Sequence, residues 1–333
     1  LLLVGHIMKI LVTGGAGFIG SHIVDACLKS GHDVEIIDDL SSGSAENVPQ
    51  DVPLHQVDIR DTLNIAPIFK TFQPDAVCHQ AAQLSVSRSV REPLLDADIN
   101  CLGLLSVLDA AVSTGCKRMV FASSGGVLYG DVSTPAPETA PANPISPYGI
   151  TKWVGEKYLE FYAREHGLRS VALRYSNVYG PRQNPHGEAG VVAIFCNQLL
   201  DGHPARINGD GKYIRDYVYG PDVAEANLSA LSLEKMHFKE NEILSLNIGT
   251  GIGTDVNALE KNVRTQVEQL RANLGEKQNL PDPEYGPERV GDLRSNLLDA
   301  SRASDILAWK PTHSLAGGLE ATARWFFERK GSF

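Results

Sequence analysis

The sequence predicts an α/β fold, in which a parallel sheet is wound with helices on both faces and is followed by a smaller, loop-rich C-terminal lobe. Short apolar runs alternate with helical patterns through the first half of the chain. Such alternation builds parallel sheets with right-handed crossovers. After Tyr175, stretches rich in Gly, Pro and Asn become frequent, at residues 180–187, 208–212 and 281–287. They are typical of a lobe made largely of loops.

The individual elements follow from periodicity and from turn residues. Strands are expected at Lys9–Thr13, Val34–Ile37, Ala76–His79, Met119–Ala122 and Val171–Arg174. Helices are expected from the glycine turn to Ser30-Gly31 and at Thr62–Phe72, Leu94–Ser113, Tyr148–His166 and Thr254–Leu274. Strand-like pieces at Tyr217–Tyr219 and Ser245–Ile248 are expected to return to the main sheet. The chain thus divides into a domain at 8–176, with returning segments near 216–248, and an interleaved lobe at 177–330.

Composition restricts the class of partner. The chain has 333 residues and a formal net charge of -10, which argues against general binding to nucleic acid or anionic membranes. Five cysteines are scattered without metal-ligand spacing, so we expect reduced thiols in a cytoplasmic protein and no metal site. Residues 1–7 form an apolar run too short for a membrane span, and Met8 is interpreted as the natural start.

A glycine-rich turn links the first strand to the first helix. Gly14, Gly17 and Gly20 stand in the pattern G-x-x-G-x-x-G. Glycine at these positions permits a tight turn and a close approach of backbone to a pyrophosphate, which the helix N-terminus also attracts. The pattern predicts a dinucleotide site, and the alternative is an ordinary strand-turn-helix connection.

Residues that follow the second and third strands bear on how the dinucleotide would be bound. Asp38 ends the second strand, where it can accept hydrogen bonds from ribose hydroxyls and would repel a 2′-phosphate. NAD is therefore favoured over NADP. Asp58 and Ile59 follow the third strand and are predicted to meet the adenine edge, although Asp58 could equally cap a turn.

Tyr148 and Lys152 are candidates for acid–base chemistry. A spacing of four places both side chains on one face of a helix. A cation beside a phenol favours the phenolate, so Lys152 is expected to lower the pKa of Tyr148 from ~10 toward working pH. The pair alone is common on solvated helices, and the upstream glycine turn is what makes a catalytic role the better interpretation.

Together these motifs resemble the UDP-glucose 4-epimerase (galactose epimerase) family of the extended short-chain dehydrogenase/reductases. The matching segments are TGGAGFIGSH (13–22), DDLSSG (38–43), HQAAQ (79–83), SSGGVLYG (123–130), SPYGITK (146–152), RYSNVYGPRQ (174–183), GDGKYIRDYVY (209–219), NIGTG (247–251) and RVGDLR (289–294). The resemblance implies a Rossmann domain that retains NAD, a lobe that binds a UDP-sugar, and a homodimer. Residues 94–113 and 148–166 would form the four-helix contact between the two copies.

The resemblance also implies site residues. Tyr148 would take the proton of the sugar 4-hydroxyl, Ser124 would hydrogen-bond the developing carbonyl, and Lys152 would hold the nicotinamide ribose; Ser123 is a second candidate for the serine. Beyond the residues above, the cofactor pocket would include Phe18, Ile19, Asp39, Ser42, Ala81, Ala82, Gln83, Asn100 and Tyr175. The UDP-sugar would be bound by Asn177, Arg215, Arg289, Asp292 and Asn296.

Related activities remain as alternatives. Nucleotide-sugar dehydratases and decarboxylases carry an acidic residue just after the strand-end serine, whereas Ser124 is followed by Gly125 and Gly126. Reductases of the superfamily usually prefer NADPH, which Asp38 disfavours, and NAD-binding regulators lose the Tyr or the Lys.

The identity of the sugar is left open among the glucose, N-acetylglucosamine and glucuronate series. Asn296 occupies a position where some family members place a Tyr that narrows the pocket beside the C2 substituent. A smaller side chain there predicts that N-acetylated sugars are accepted. The alternative is that Asn296 faces solvent at a strand edge.

Overall fold

The structure, a computed structural model, describes residues 7–185, 190–273, 279–288 and 292–330. Arg289 lies outside these ranges. The strands are β1 Lys9–Thr13, β2 Asp33–Ile37, β3 Leu54–His55, β4 Ala76–His79, β5 Arg118–Ser124, β6 Arg169–Tyr175, β7 Asn177–Tyr179, β8 Arg206–Asn208, β9 Ile214–Tyr219, β10 Leu244–Ile248, β11 Gly253–Asp255, β12 Glu284–Gly286 and β13 Ser295–Asn296. The helices are α1 Phe18–Lys29, α2 Thr62–Phe72, α3 Val86–Arg91, α4 Pro93–Ala97, α5 Gly103–Ser113, α6 Gly125–Leu128, α7 Pro147–His166, α8 Val191–Leu200, α9 Gly220–Leu231, α10 Val256–Asn273, α11 Ser301–Leu307 and α12 Leu315–Lys330.

The main sheet has seven strands in the order β10-β6-β5-β4-β1-β2-β3. Its strand pairs are parallel, which confirms the predicted doubly wound α/β fold. The order reverses direction between β1 and β4, and ligands of such sheets bind at that point, beyond the carboxyl ends of the strands. The glycine turn after β1 and the segment after β4 therefore border the crevice where a dinucleotide is expected.

Alternation along β1 supplies apolar side chains to both faces of the sheet. Ile10 and Val12 lie in one buried cluster with side chains of α1 and α9, whereas Leu11 lies in a second cluster with side chains of α2, α5 and α7. A third cluster joins α8, α10 and α12 in the C-terminal lobe. None of the helices in the described part of the chain has the length and apolar character needed to cross a membrane.

A second sheet carries three of the predicted substrate residues, Asn177, Arg215 and Asn296. Its order is β11-β9-β13, and β7 also pairs with β9. The expectation that Tyr217–Tyr219 returns to the main sheet is therefore wrong, because these residues are the end of β9. Of the two returning pieces, only Ser245–Ile248 pairs in the main sheet, beside β6.

The predicted helix at Leu94–Ser113 is interrupted. Its residues form α4, a π-helical turn at Asp98–Leu102, and α5. Inserted π turns often occur at functional sites, since they re-aim side chains within a continuous helix. The predicted helix at Tyr148–His166 begins one residue earlier, at Pro147, and Ser146 caps it by accepting a hydrogen bond from the Gly149 backbone N–H.

Candidate active site

The glycine turn has the geometry that a pyrophosphate site requires. Gly14 has φ +71°, and a Cβ built on it would lie 2.6 Å from the Ala81 backbone nitrogen. A Cβ on Gly20 would overlap the Gly14 carbonyl, and Gly17 is the N-cap residue of α1. Only glycine leaves the backbone accessible here, so the turn fits a dinucleotide at the N-terminus of α1.

Asp38 lies against this turn. Its Oδ2 accepts a hydrogen bond from the Ala16 N–H at 3.0 Å, and its Oδ1 accepts one from the Leu40 N–H at 2.9 Å. Burial raises the pKa of the carboxyl group, while these backbone donors oppose the shift. Asp39 and Ser42 are exposed on the following loop. Asp38 thus holds the turn and stands at the end of β2, where the sequence predicts the ribose.

Asp58 is engaged in an ion pair that the sequence analysis did not foresee. Its Oδ2 lies 2.5 Å from an Arg60 guanidinium nitrogen, and the same guanidinium contacts Asp98 at 2.6 Å. The Arg60 guanidinium lowers the pKa of Asp58. Ile59 is buried in the core beneath α5. Contact of either residue with an adenine remains a prediction.

The segment after β4 lies near both the glycine turn that follows β1 and the π-helical turn at Asp98–Leu102. Ala81 packs against Gly14, and Ala82 follows it, half-buried. The Gln83 N–H donates to the Asn100 Oδ1 at 2.9 Å, and the Asn100 Nδ2 donates back to the Gln83 carbonyl at 3.0 Å. This reciprocal pair fixes the wall of the crevice opposite α1.

The structure brings the predicted catalytic residues together. Ser124 ends β5, and its side chain lies beside that of Tyr148 in the first turn of α7. The Lys152 Nζ is buried at 5.8 Å from the centre of the Tyr148 ring and 5.1 Å from that of Phe121. A serine, a phenol and an ammonium group therefore meet at one edge of the sheet.

The neighbouring serine serves a different purpose. The Ser123 hydroxyl is buried and donates to the Glu156 Oε1 at 2.6 Å. Ser123 is thus bonded to Glu156, two turns further along α7 than Tyr148. The geometry places Ser124 and not Ser123 beside Tyr148, and the catalytic role of Ser124 stays a prediction.

Burial dominates the ionisation of the pair on α7. It raises the pKa of Tyr148 to about 12, an effect that Asp96 reinforces and the Ser124 side chain opposes. Burial also lowers the pKa of Lys152 to about 8. The expectation that Lys152 brings the Tyr148 pKa down toward working pH is therefore wrong for the chain by itself, because desolvation penalises the phenolate more than its surroundings favour it.

The Tyr175 hydroxyl lies in a polar cluster beside the crevice. Its buried hydroxyl donates to the Asn227 Oδ1 at 2.9 Å and lies 3.3 Å from the Gln80 Oε1. The side chain therefore packs between β6 and the segment after β4. Its predicted contact with the cofactor remains a prediction.

The predicted substrate residues of the second sheet are neighbours. Asn177 pairs with Tyr217 between β7 and β9, and its Nδ2 donates to the Asp216 carbonyl at 3.2 Å. The Arg215 guanidinium contacts the Asp292 carboxylate at 2.6 Å. Arg289 cannot be placed with them, since it lies outside the described residues.

Asn296 is fully buried. It pairs with Arg215 between β13 and β9, and its Nδ2 donates to the carbonyl of Gly125, the residue after Ser124, at 3.2 Å. The Oδ1 of Asn296 has no hydrogen-bond partner among the described residues. The alternative that this side chain faces solvent is therefore wrong.

Comparison with known proteins agrees with this geometry. Residues 10–249 match the model of the NAD dependent epimerase/dehydratase family. The chain belongs to this family. A curated relative from Methanocaldococcus jannaschii, named putative UDP-glucose 4-epimerase, is 42% identical over 95% of this chain and 97% of its own.

Solved structures of the family have the same fold. A UDP-glucose 4-epimerase of Thermotoga maritima with UDP-glucose has a TM-score of 0.87 and 46% identity over 98% of this chain and 100% of its own. A UDP-glucose 4-epimerase of Thermus thermophilus in complex with NAD has a TM-score of 0.85 and 42% identity over 96% and 99% of the two chains. The resemblance found in the sequence is confirmed.

Glu156 and Asp96 are two of the buried carboxylates that were not singled out from the sequence. Glu156, 2% exposed, forms an ion pair with Arg174 at 2.7 Å behind Ser123. Asp96, on α4, is 0% exposed. Glu156 could have been found, because it stands one helical turn after Lys152 on the same face. Asp96 carried a weaker signal, since only Asn100 among its three partners is close in sequence, whereas Gln83 and Thr151 come from other segments.

Proposed function

We propose that the protein is an NAD-dependent 4-epimerase that interconverts UDP-glucose and UDP-galactose through a 4-keto sugar. The observation that carries this proposal is the placement of Ser124, Tyr148 and Lys152 together at the sheet edge that bears the glycine turn. Relatives with that activity in their names, up to 46% identical, support it. The proposal places the enzyme in the cytoplasm, where its five cysteine thiols stay reduced.

The chain offers NAD a complete set of contacts. The glycine turn and the N-terminus of α1 would receive the pyrophosphate, Asp38 the adenine ribose, and Lys152 the nicotinamide ribose. Bound NAD would supply the hydride acceptor, and its positive ring would favour the Tyr148 phenolate. The remaining pocket residues, Phe18, Ile19, Asp39, Ser42, Asp58, Ile59, Ala81, Ala82, Gln83, Asn100 and Tyr175, are proposed to surround it.

Tyr148 is the proposed base. Its phenolate would accept the proton of the sugar 4-hydroxyl while hydride leaves C4, and Ser124 would stabilise the developing carbonyl. The buried ammonium of Lys152 would hold the phenolate form. A 4-keto sugar that turns over and is reduced on its other face leaves as the C4 epimer, with no net redox change.

The UDP moiety is assigned to the second sheet. Arg215 would exchange its carboxylate partner, Asp292, for the diphosphate, for which a planar guanidinium is suited. Asp292 would then accept from the nucleotide ribose, and Asn177 would bond the diphosphate from β7. Arg289 stays a predicted partner of the same charges.

The segment after Ser124 favours epimerisation over dehydration. A Cβ built on Gly125 would lie 2.6 Å from a Leu298 methyl carbon, so this position has no room for an acidic side chain unless Leu298 moves. Elimination from a keto sugar needs such a group near the reacting carbons, whereas epimerisation does not. The retained Ser124, Tyr148 and Lys152 also disfavour a non-catalytic regulator.

The proposal is tested with the purified protein alone. Denaturation should release NAD, identified by mass, and incubation of the native protein with UDP-glucose should yield UDP-galactose without added cofactor. Formation of a dehydrated or decarboxylated sugar instead, or of no product with any UDP-hexose, would overturn it.

A homodimer is the second part of the proposal. Leu94 on α4 and Leu102 in the π turn are 86% and 57% exposed, and Trp153 and Phe161 on α7 are 38% and 43% exposed. Because helices α4 and α7 pack against each other, we infer that these apolar side chains belong to one face. A face of this kind is typical of an interface. A second copy of the chain would complete a four-helix contact.

We expect Leu94→Glu to convert the dimer into a monomer, because a carboxylate would be buried unpaired in the contact. The solution mass is measured by sedimentation over a range of protein concentrations. Leu63→Glu is the matched control, since Leu63 is equally exposed, at 85%, on α2 outside this face. A monomeric unmodified protein, or a dimer that tolerates Leu94→Glu, would contradict the assignment.

Asn296 favours a second substrate class, UDP-N-acetylhexoses. Its buried Oδ1 has no hydrogen-bond partner in the described part of the chain, and its Nδ2 bonds to Gly125, next to the proposed catalytic serine. Asn leaves more room than Tyr and could hydrogen-bond an acetamide. We therefore propose that the pocket admits UDP-N-acetylglucosamine as well as UDP-glucose.

Comparable turnover of the two sugars is the expected result, measured side by side under identical conditions. Asn296→Tyr should lose at least ~10-fold more activity toward the N-acetylated sugar than toward UDP-glucose, since a steric clash of ~1–3 kcal/mol is typical of pocket selectivity. Asn296→Ala, which adds no bulk, should retain both substrates. Absence of turnover with UDP-N-acetylglucosamine by the unmodified protein would refute this assignment.

A further inference from the structure

Asp96 is a buried carboxylate that the proposed chemistry does not use. Its side chain is fully enclosed, at 0% exposed. Its Oδ1 accepts from the Gln83 Nε2 at 2.7 Å and from the Asn100 Nδ2 at 3.1 Å, and its Oδ2 accepts from the Thr151 hydroxyl at 2.8 Å. Enclosing a charged group is costly unless it is bonded in this way, so the arrangement requires an explanation.

The three partners belong to three separate parts of the site. Gln83 follows β4 and forms the crevice wall, whereas Asn100 stands in the π turn. Thr151 lies on α7 between Tyr148 and Lys152, and its hydroxyl also lies 3.1 Å from the Tyr148 carbonyl. One carboxylate therefore ties the crevice wall to the helix that carries the proposed base.

Asp96 also faces the ionisable groups of the site. These are Lys152 and Tyr148 on α7 and Cys101 in the π turn. Burial lowers the pKa of Lys152 and raises those of Tyr148 and Cys101, and the charge of Asp96 acts on all three in the direction that raises the pKa. The Asp96 Oδ2 bonds to Thr151, the residue before Lys152, so among the described groups this carboxylate is the negative charge that acts on Lys152.

We propose that Asp96 is a positioning residue, which aligns α7 with the crevice wall and serves as the fixed counter-charge of Lys152. The inference rests on the proposed roles of Tyr148 and Lys152. It adds that a carboxylate outside the reacting groups contributes to the protonation of both. An anion near a cationic acid and a phenol stabilises the protonated form of each, so its removal must move both titrations to lower pH.

Asp96→Asn is the direct test, because the amide preserves the shape of the carboxylate. Its Oδ1 can still accept from Gln83 and Asn100, and its Nδ2 can donate to the Thr151 oxygen. Both limbs of the pH–rate profile of the NAD-bound enzyme should shift to lower pH by roughly one unit. If Asp96 served only in packing, Asp96→Asn would lower the rate at every pH without shifting either limb of the pH–rate profile.

A second measurement does not depend on turnover. The ultraviolet phenolate band is titrated with pH in the unmodified protein and in Asp96→Asn, each compared with its Tyr148→Phe counterpart. The Tyr148 titration should move to lower pH in the Asn variant. The matched control is Asp98→Asn, since Asp98 stands two residues away but is exposed and paired with Arg60.

The outcomes separate this inference from the proposed function. A shifted phenolate titration in a protein that turns over no UDP-sugar would support Asp96 and refute the epimerase activity. An active enzyme in which neither the rate profile nor the titration moves would overturn the inference. If Asp96→Asn does not fold, Asp96→Ser, a smaller neutral substitution, gives the same comparison.

Discussion

Tyr148→Phe is expected to lower turnover of UDP-glucose by at least ~10²-fold, the least effect typical of a lost general base. The phenol is the proposed proton acceptor and lies beside Ser124. Because it contributes little to holding the UDP moiety, affinity for UDP-glucose, measured by calorimetry, should change little. The loss should therefore fall on kcat and not on KM.

Two further variants sharpen this test. Tyr158→Phe removes a phenol from the same helix, away from Ser124, and should retain full activity. Lys152→Met should raise the pH at which residual activity appears, because a nearby cation favours the phenolate. If Tyr148→Phe retained more than a few per cent of activity, ~10⁻² of the original rate being the expected ceiling, Tyr148 would not be the base.

Glu156→Gln is expected to lower the free energy of unfolding by ~3–5 kcal/mol, the cost of removing one partner from a buried ion pair. The Glu156 carboxylate contacts the Arg174 Nε at 2.9 Å and a terminal guanidinium nitrogen at 2.7 Å, and it also accepts from Ser123. Without it, the guanidinium of Arg174, 9% exposed, keeps its charge without a counter-ion. Denaturation by urea measures the change, at one protein concentration for all variants.

The control for this prediction lies one helical turn away. Glu160 pairs with Lys157 at 2.8 Å, but the two side chains are 43% and 53% exposed. Exposed pairs contribute ~0–1 kcal/mol, so Glu160→Gln should be nearly neutral. Similar small losses in both variants would show that the buried pair is not a major contributor to stability.

The fold and the core of the site were predictable because they depend on contiguous residues. The apolar runs of the main sheet, the pattern of Gly14, Gly17 and Gly20, and the spacing of Tyr148 and Lys152 are local features of the chain. Strand period, turn conformation and helical geometry act over a few residues, so the sequence predicts them directly. The family resemblance follows from these same segments.

Boundaries and pairings within the lobe were less predictable. The strand at Tyr217–Tyr219 was recognised, but its sheet was not, because pairing depends on which edge is free after the rest of the chain has packed. The π turn at Asp98–Leu102 was hidden for a similar reason. The sequence of this segment is compatible with one continuous α-helix. The π-helical turn is found only in the folded chain, where it packs against α7.

The sequence by itself determined the class of the protein, its cofactor and the chemical groups of its proposed site. Tertiary structure decided how those groups are used: Ser124 meets Tyr148 while Ser123 meets Glu156, Arg215 meets Asp292, and Asp96 faces Lys152. It also reversed the expected pKa shift of Tyr148. The physical reason is that burial and long-range partners set the energies of charged and hydrogen-bonding groups, and both arise only when distant segments pack together.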